Sequence, residues 1–177
     1  MKTIIVISSF LLLNIFIVKG QNTVAENPTN RAAYLELGGP SFYYSFNYDF
    51  RFHPETPGGW GMRFGAGGYA VENSYAFVVP VMVNYLFGKR GNYFETAFGA
   101  IAGGSSGGIL LMDPDSFPVA GCIYIGFRAQ PTDGGIVFMA GVPFFVGASK
   151  TDPYISDSNY KAYAVPSWPG ITLGFAF

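Results

Sequence analysis

The chain has 177 residues, of which 18% are aromatic and only 12% charged, with 24 glycines and a formal charge of −1. Soluble domains average about 25% charged residues, so this composition excludes a charged cytosolic enzyme, a coiled coil and a disordered tail. It also offers no basic footprint for nucleic acid. A single cysteine excludes a disulfide framework and a cysteine-based zinc site.

The N-terminus reads as a secretory signal peptide over residues 1–20. Lys2 is the positive n-region, Ile4 to Val18 the apolar h-region, and Val18-Lys19-Gly20 the cleavage region before Gln21. The Lys19 beside the cut leaves the cleavage position open. Residues 21–31 form a short lead-in, and 32–177 form one domain.

Turn-forming clusters punctuate that domain, and between them lie short runs rich in Phe, Tyr, Val and Ile, which read as strands. No segment repeats apolar residues at helical spacing over three turns. Eight strands are expected, at 32–38, 41–52, 60–71, 77–87, 93–103, 117–129, 136–147 and 169–177. Gly38-Gly39-Pro40 reads as a turn or as a bulge inside one longer strand; the turn gives eight strands and the bulge seven.

The second run carries the clearest pattern. Phe42, Tyr44, Phe46, Tyr48, Phe50 and Phe52 share one face, and Tyr43, Ser45, Asn47, Asp49 and Arg51 the other. A soluble core does not absorb so many aromatics from one strand, whereas a tilted strand of ~9–11 residues crosses a bilayer. Looser alternation recurs in Phe77 to Phe87, Phe94 to Phe98, Ile123 to Phe127 and Ile171 to Phe177. Ile136 to Val146 is apolar on both faces, so its orientation stays open. Parity sends Glu36, Asp49 and Glu95 inward together with Arg51, Arg63 and Arg128, a balanced set for a packed polar lumen. Gly65, Gly67, Gly99 and Gly126, on the same parity, leave room for larger neighbours.

These features specify an all-β, closed, antiparallel up-and-down transmembrane barrel of eight strands. Short turns at 53–59, 88–92 and 130–135 fall on the periplasmic side. The connections at 38–40, 72–76, 104–116 and 148–168, which include the two longest, fall outside.

The chain resembles the small outer-membrane β-barrel proteins of Gram-negative bacteria, with the eight-strand shape of the OmpA and OmpX type. The phrases Leu35-Glu36-Leu37-Gly38-Gly39, Ser45-Phe46-Asn47-Tyr48 and Trp168-Pro169-Gly170-Ile171-Thr172-Leu173-Gly174-Phe175 resemble barrels of Bacteroidota type. The terminal Phe177, after alternating apolar residues, resembles the signal that the barrel-assembly machinery recognises. The resemblance implies the outer membrane as location, and its lipid and lipopolysaccharide as surroundings. It transfers no catalytic residues.

Candidate chemistry is sparse. His53 is the sole histidine and reads as a solvated turn residue beside Pro54; Cys122 reads as a small buried lumen residue. Gly103 to Gly108 lacks the Lys-Ser/Thr of a phosphate loop, and Gly88-Lys89-Arg90-Gly91 reads as a turn. Asp113, Asp115, Asp152 and Asp157 lack EF-hand spacing. Trp60, Tyr85, Phe87, Tyr75 and Trp168 suit a membrane-interface girdle. No catalytic, cofactor-binding or metal-ligating set is expected.

The expected role is therefore a non-enzymatic, structural or surface-contact one. The twenty-residue stretch Ala148 to Ser167, with Asp152, Asp157, Lys150, Lys161, Tyr154, Tyr160 and Tyr163, is the expected contact site. The alternatives are a lipid-modifying barrel enzyme and a secreted lipocalin-like binder of apolar ligands, whose aromatic faces would point inward.

Overall fold

A computed structural model describes residues 29–53, 55–71, 74–105, 119–150 and 160–177. The leader at 1–20, and Asp113, Asp115, Asp152 and Asp157, lie outside the described residues.

The strands are β1 (Arg31–Leu37), β2 (Tyr44–Arg51), β3 (Gly59–Val71), β4 (Ser74–Lys89), β5 (Asn92–Ser105), β6 (Val119–Ala129), β7 (Gly135–Lys150), β8 (Tyr160–Pro166) and β9 (Gly170–Ala176). Each pairs antiparallel with its neighbour, and β9 returns to β1, so the sheet closes. Arg31 and Phe177 exchange backbone hydrogen bonds of 3.3 and 3.0 Å at the foot of that seam. No described helix is long and apolar enough to cross a membrane.

The wall is eight strands thick in circumference, because β8 and β9 lie end to end along β7. β8 pairs with Phe144–Lys150, and β9 with Gly135–Gly141. Between them Ser167, Trp168 and Pro169 stand opposite Val142 and Pro143, with the Ser167 N–H donating to the Pro143 carbonyl at 2.9 Å. Three residues facing two is a bulge, and Pro169 brings no N–H to the ladder there.

The strand-free stretch expected at 148–167 is thus corrected. Ala148–Lys150 and Tyr160–Pro166 are paired strand, and 151–159 lies outside the described residues. Charged and turn-forming residues within 148–167 masked a ladder that backbone hydrogen bonding carries.

Gly38-Gly39-Pro40 is a turn. Gly39–Ser41 forms one 3-10 turn, and Gly38 and Gly39 have φ of 74° and 66°, which glycine tolerates. Phe42, with φ 68°, also sits in the left-handed region. That reverses its facing: Phe42 turns into the barrel and stacks on Phe145, ring centroids 4.7 Å apart, while Tyr43 points out against Tyr69. The expected outward facing of Phe42 and inward facing of Tyr43 are therefore corrected, because period-two alternation holds only for extended backbone.

From Tyr44 onward the alternation is as read from the sequence: Phe46 is 57% exposed and Asn47 1%. The same inversion runs round the wall, with Leu35, Phe64, Val81, Phe98, Ile125 and Leu173 exposed and Arg63, Glu95 and Arg128 buried. A lipocalin-like calyx needs the opposite directions. β7 resolves with Val137, Met139, Pro143 and Phe145 inward.

Aromatics collect near both rims. At the end holding Phe177, contacts run Phe177–Tyr48–Phe64–Phe50–Phe52 and Trp60–Tyr85–Phe87–Phe94. Tyr75 and Phe87, both exposed, bracket β4. At ~3.3 Å per residue and a tilt of ~40° their separation corresponds to a band roughly 30 Å high. Val81 lies at its middle. Val81→Arg is expected to destabilise the barrel by about 2–4 kcal/mol in lipid vesicles, the cost of an arginine at the bilayer midplane, measured by urea titration. Loss of under ~0.5 kcal/mol would mean that this face does not meet hydrocarbon.

Candidate functional site

The lumen is the chemically distinctive region, and parity on each strand decides what enters it. β2 delivers Ser45, Asn47, Asp49 and Arg51; β3 delivers Arg63; β4 delivers Met82 and Asn84; β5 delivers Glu95; β6 delivers Tyr124 and Arg128. All are buried.

Asp49 is one centre of the network. Its Oδ1 accepts from Arg51 Nη2 at 2.5 Å and Arg128 Nη2 at 3.2 Å, and its Oδ2 accepts from Asn84 Nδ2 at 2.6 Å. Asn84 ties the second centre to it. Its amide donates to Glu95 Oε1 at 3.1 Å while its Oδ1 accepts from Arg51 at 2.7 Å. Glu95 also faces Arg63 at 3.8 Å and Arg128 at 3.7 Å. The Arg128 Nε donates to Gln130 Oε1 at 2.8 Å. The Arg63 guanidinium lies 4.6 Å over the Tyr124 ring, a cation–π contact.

These contacts cross the barrel. β2 and β6 stand on opposite walls, so the Asp49–Arg128 pair is a strut across the lumen rather than a neighbour contact. Asp49 stands opposite Arg63 in the β2–β3 register, yet its ion partners are Arg51 and Arg128. Buried ion pairs give back in Coulomb energy about what desolvation removes, but losing one partner strands a charge.

The expected network of three acids and three arginines is therefore present with one correction. Glu36 joins it only through space: its Oε2 accepts a hydrogen bond from Ser45 Oγ at 3.5 Å and it lies in the field of Arg63, but no arginine lies within 4.0 Å of it among the described ion pairs. The reason is height. Glu36 pairs with Ser45, which pairs with Gly67, two pleats above Arg63 on β3. The sequence patterning did not single out Asn84 as the bridge. The signal available was that it is the lone polar residue in the middle of an apolar run.

Small residues make space for the large ones. A Cβ at Gly126 or Gly141 would meet the Tyr124 ring, and one at Gly65 the Asn47 amide.

Toward the Phe42 end the lumen becomes apolar, with Val78, Met82, Ala97, Ile101, Cys122, Tyr124 and Phe145 packed together and Phe42 against them. Gly39, Pro40 and Ser41 are buried, and their turn touches β3, β4, β7 and β9, so it lies across the mouth. Cys122 sits in this cluster as a buried lumen thiol. His53 is exposed in the β2–β3 connection, and among the described residues no hydrogen bond or ion pair joins its ring to a serine or carboxylate. Gly103 and Gly104 are buried in β5, and 106–108 lies outside the described residues. No cluster of three or more potential metal ligands occurs among the described residues.

The geometry defines a closed eight-stranded up-and-down barrel with an apolar exterior and a packed lumen. Among solved structures it is similar to the N-terminal β-barrel domain of Pseudomonas aeruginosa OprF, with a TM-score of 0.52, 14% identity, and coverage of 85% of this chain and 99% of that domain. No family model matches the sequence, and neither does any curated protein.

Two outcomes follow. Glu95→Ala removes the ion partner of Arg63, while Arg128 keeps Asp49, and should lower unfolding stability by about 3–5 kcal/mol, less where water enters. Glu36→Gln, which strands no arginine, should cost under ~1 kcal/mol. Equal losses in detergent unfolding would refute the division of the lumen. In the folded barrel Cys122 should resist maleimide. Phe42→Ala should speed its labelling about tenfold or more, equivalent to ~1.4 kcal/mol in local opening. An unchanged labelling rate would show that Phe42 does not seal the mouth.

Proposed function

We propose that this protein is an integral outer-membrane barrel with a non-enzymatic role, structural or surface-contact, exerted at the rim that carries the long connections. The observation that carries the reading is the inversion of polarity: apolar and aromatic side chains are exposed on the wall while arginines and carboxylates are fully buried. Only a non-aqueous surrounding makes that inversion favourable over the whole circumference. A closed ladder is what such a surrounding demands.

Orientation follows from the connections. The β4–β5 turn is Arg90 and Gly91, and the β6–β7 connection is 130–134. Short turns face the periplasm in outer-membrane barrels, so that end, which also holds Phe177, is the periplasmic one. Phe177 is exposed at the end of β9, available to assembly machinery. The outer rim holds the far ends of β5, β6, β7 and β8 and the exposed Trp168, an aromatic suited to the interface. Lipopolysaccharide would surround that rim. The sequence phrases quoted above support a Bacteroidota-type origin.

The test has two parts. The protein should fractionate with the outer membrane and need detergent for release. Replacing 148–165 by a short Gly-Ser turn removes β8 but leaves the β1–β9 and β7–β9 ladders. The barrel should still insert, and any host, phage or envelope phenotype should be lost. A protein recovered in the soluble extract refutes the location, and a phenotype that survives the replacement refutes the surface site.

A further inference from the structure

We propose that the β4–β5 turn holds the headgroup of an anionic phospholipid of the periplasmic leaflet. The proposal rests on the outer-membrane reading above and adds a ligand class to the periplasmic rim.

A pocket of about 530 Å³ opens there between the β2–β3 connection, the end of β4 and the β6–β7 connection. Lys89 and Arg90 line it, with Thr56 and Thr132 as further polar groups, Tyr85 and Phe87 from the outer face, and Leu86 and Tyr93, both buried, from the lumen side. The lining contains no acid; the neighbouring carboxylates Glu55 and Asp133 are exposed and outside it. Among the described residues no carboxylate forms an ion pair with Lys89 or Arg90. Two cations thus share a concave site whose lining contributes no carboxylate.

Backbone geometry supplies a second, independent observation. Lys89 pairs with Asn92, and the two residues between them, Arg90 and Gly91, have φ of 57° and 84°. Two successive positive φ values in a two-residue hairpin are the conditions that select Asn-Gly or Gly-Gly. Arginine is a poor choice for that backbone. Its presence at a strained position points to a use for the side chain.

Depth decides the source of the anion. Tyr85 packs on Trp60 at 5.0 Å and on Phe87 at 4.3 Å, and this aromatic row adjoins the pocket. Such rows lie at headgroup level, and long basic side chains reach from there to the phosphate. A lipid can place its headgroup in the pocket and its acyl chains along the exposed Phe87 and Phe94.

Trp168→Phe leaves Trp60 as the sole tryptophan, since the chain has two. That protein is reconstituted into phosphatidylcholine vesicles containing brominated phosphatidylglycerol or brominated phosphatidylcholine at equal mole fraction, and quenching of Trp60 gives the relative binding constant. Phosphatidylglycerol should be preferred by about fivefold or more, the usual gain from one basic residue at an anionic surface. Adding K89Q/R90N should abolish the preference, leave quenching by phosphatidylcholine unchanged, and keep the folded gel mobility, because Asn suits the left-handed position better than Arg. No preference in the starting protein, or a preference that survives K89Q/R90N, overturns the proposal. Loss of the preference on adding inorganic phosphate, but not sodium chloride at equal ionic strength, overturns it in favour of a soluble phosphate anion. Quenching by neither lipid would instead refute the membrane location itself.

Discussion

A sheet of eight strands has two open edges unless the first strand meets the last, and here β1 meets β9 from Ala32–Ala176 to Leu37–Ile171. Closure pairs the backbone N–H and C=O groups of the first and last strands within the wall. Side chains are then the only groups left to face the surroundings on one side and the lumen on the other. Because strand side chains alternate, closure also sorts the sequence into two sets. One set is Leu35, Phe46, Phe98 and Leu173; the other is Tyr34, Asn47, Ala97 and Thr172. The outer set is more apolar than the inner, which reverses the rule for a protein in water.

The inner set must fill a narrow space without stranding charge, and it does so with long side chains on a few strands and glycines on the facing ones. Asp49 takes Asn84 and Arg128, and Glu95 takes Arg63, from strands not adjacent to their own, so the network braces the cross-section as well as neutralising it. Arginine suits this better than lysine, since one guanidinium serves several acceptors at once, as Arg51 does for Asp49, Asn84 and the Gly59 carbonyl. Above the network the lumen changes character. Phe42 and Phe145 close it with stacked rings, and the left-handed backbone at Phe42 aims that ring inward. A strained residue of this kind, costing ~1–3 kcal/mol, persists only where surrounding packing overdetermines it.

Much of this was legible in the sequence, for a definite reason: period-two alternation is a geometric consequence of extended backbone, so wherever backbone stays extended the facing of each residue follows from its number. Asp49, Arg63, Glu95 and Arg128 were placed in the lumen on that basis alone. Four features escaped. Parity gives facing but not height, so Glu36 was grouped with arginines that lie two pleats away along the wall. Alternation fails at a left-handed residue, so Phe42 and Tyr43 exchanged sides. Where the lumen itself is apolar, as along Val137, Met139 and Phe145, the two faces of β7 have the same chemistry and parity carries no label. Pairing of Ala148–Lys150 with Tyr160–Pro166 escaped for a fourth reason, because it rests on backbone groups that every residue supplies.

The bulge at Ser167–Pro169 connects these themes. Below it, β9 holds the seam with β1; above it, β8 pairs with β7 in a register displaced by one residue. Among the described residues β8 pairs with no other strand. The hairpin above the bulge is therefore a separate structural unit joined to the wall through β7. Changes of length or sequence in it need not propagate into the β1–β9 ladder or the Asp49–Glu95 network. A barrel whose closure lies below the bulge can vary the rim above it while its wall and lumen stay fixed, because connecting segments tolerate change that a paired wall does not.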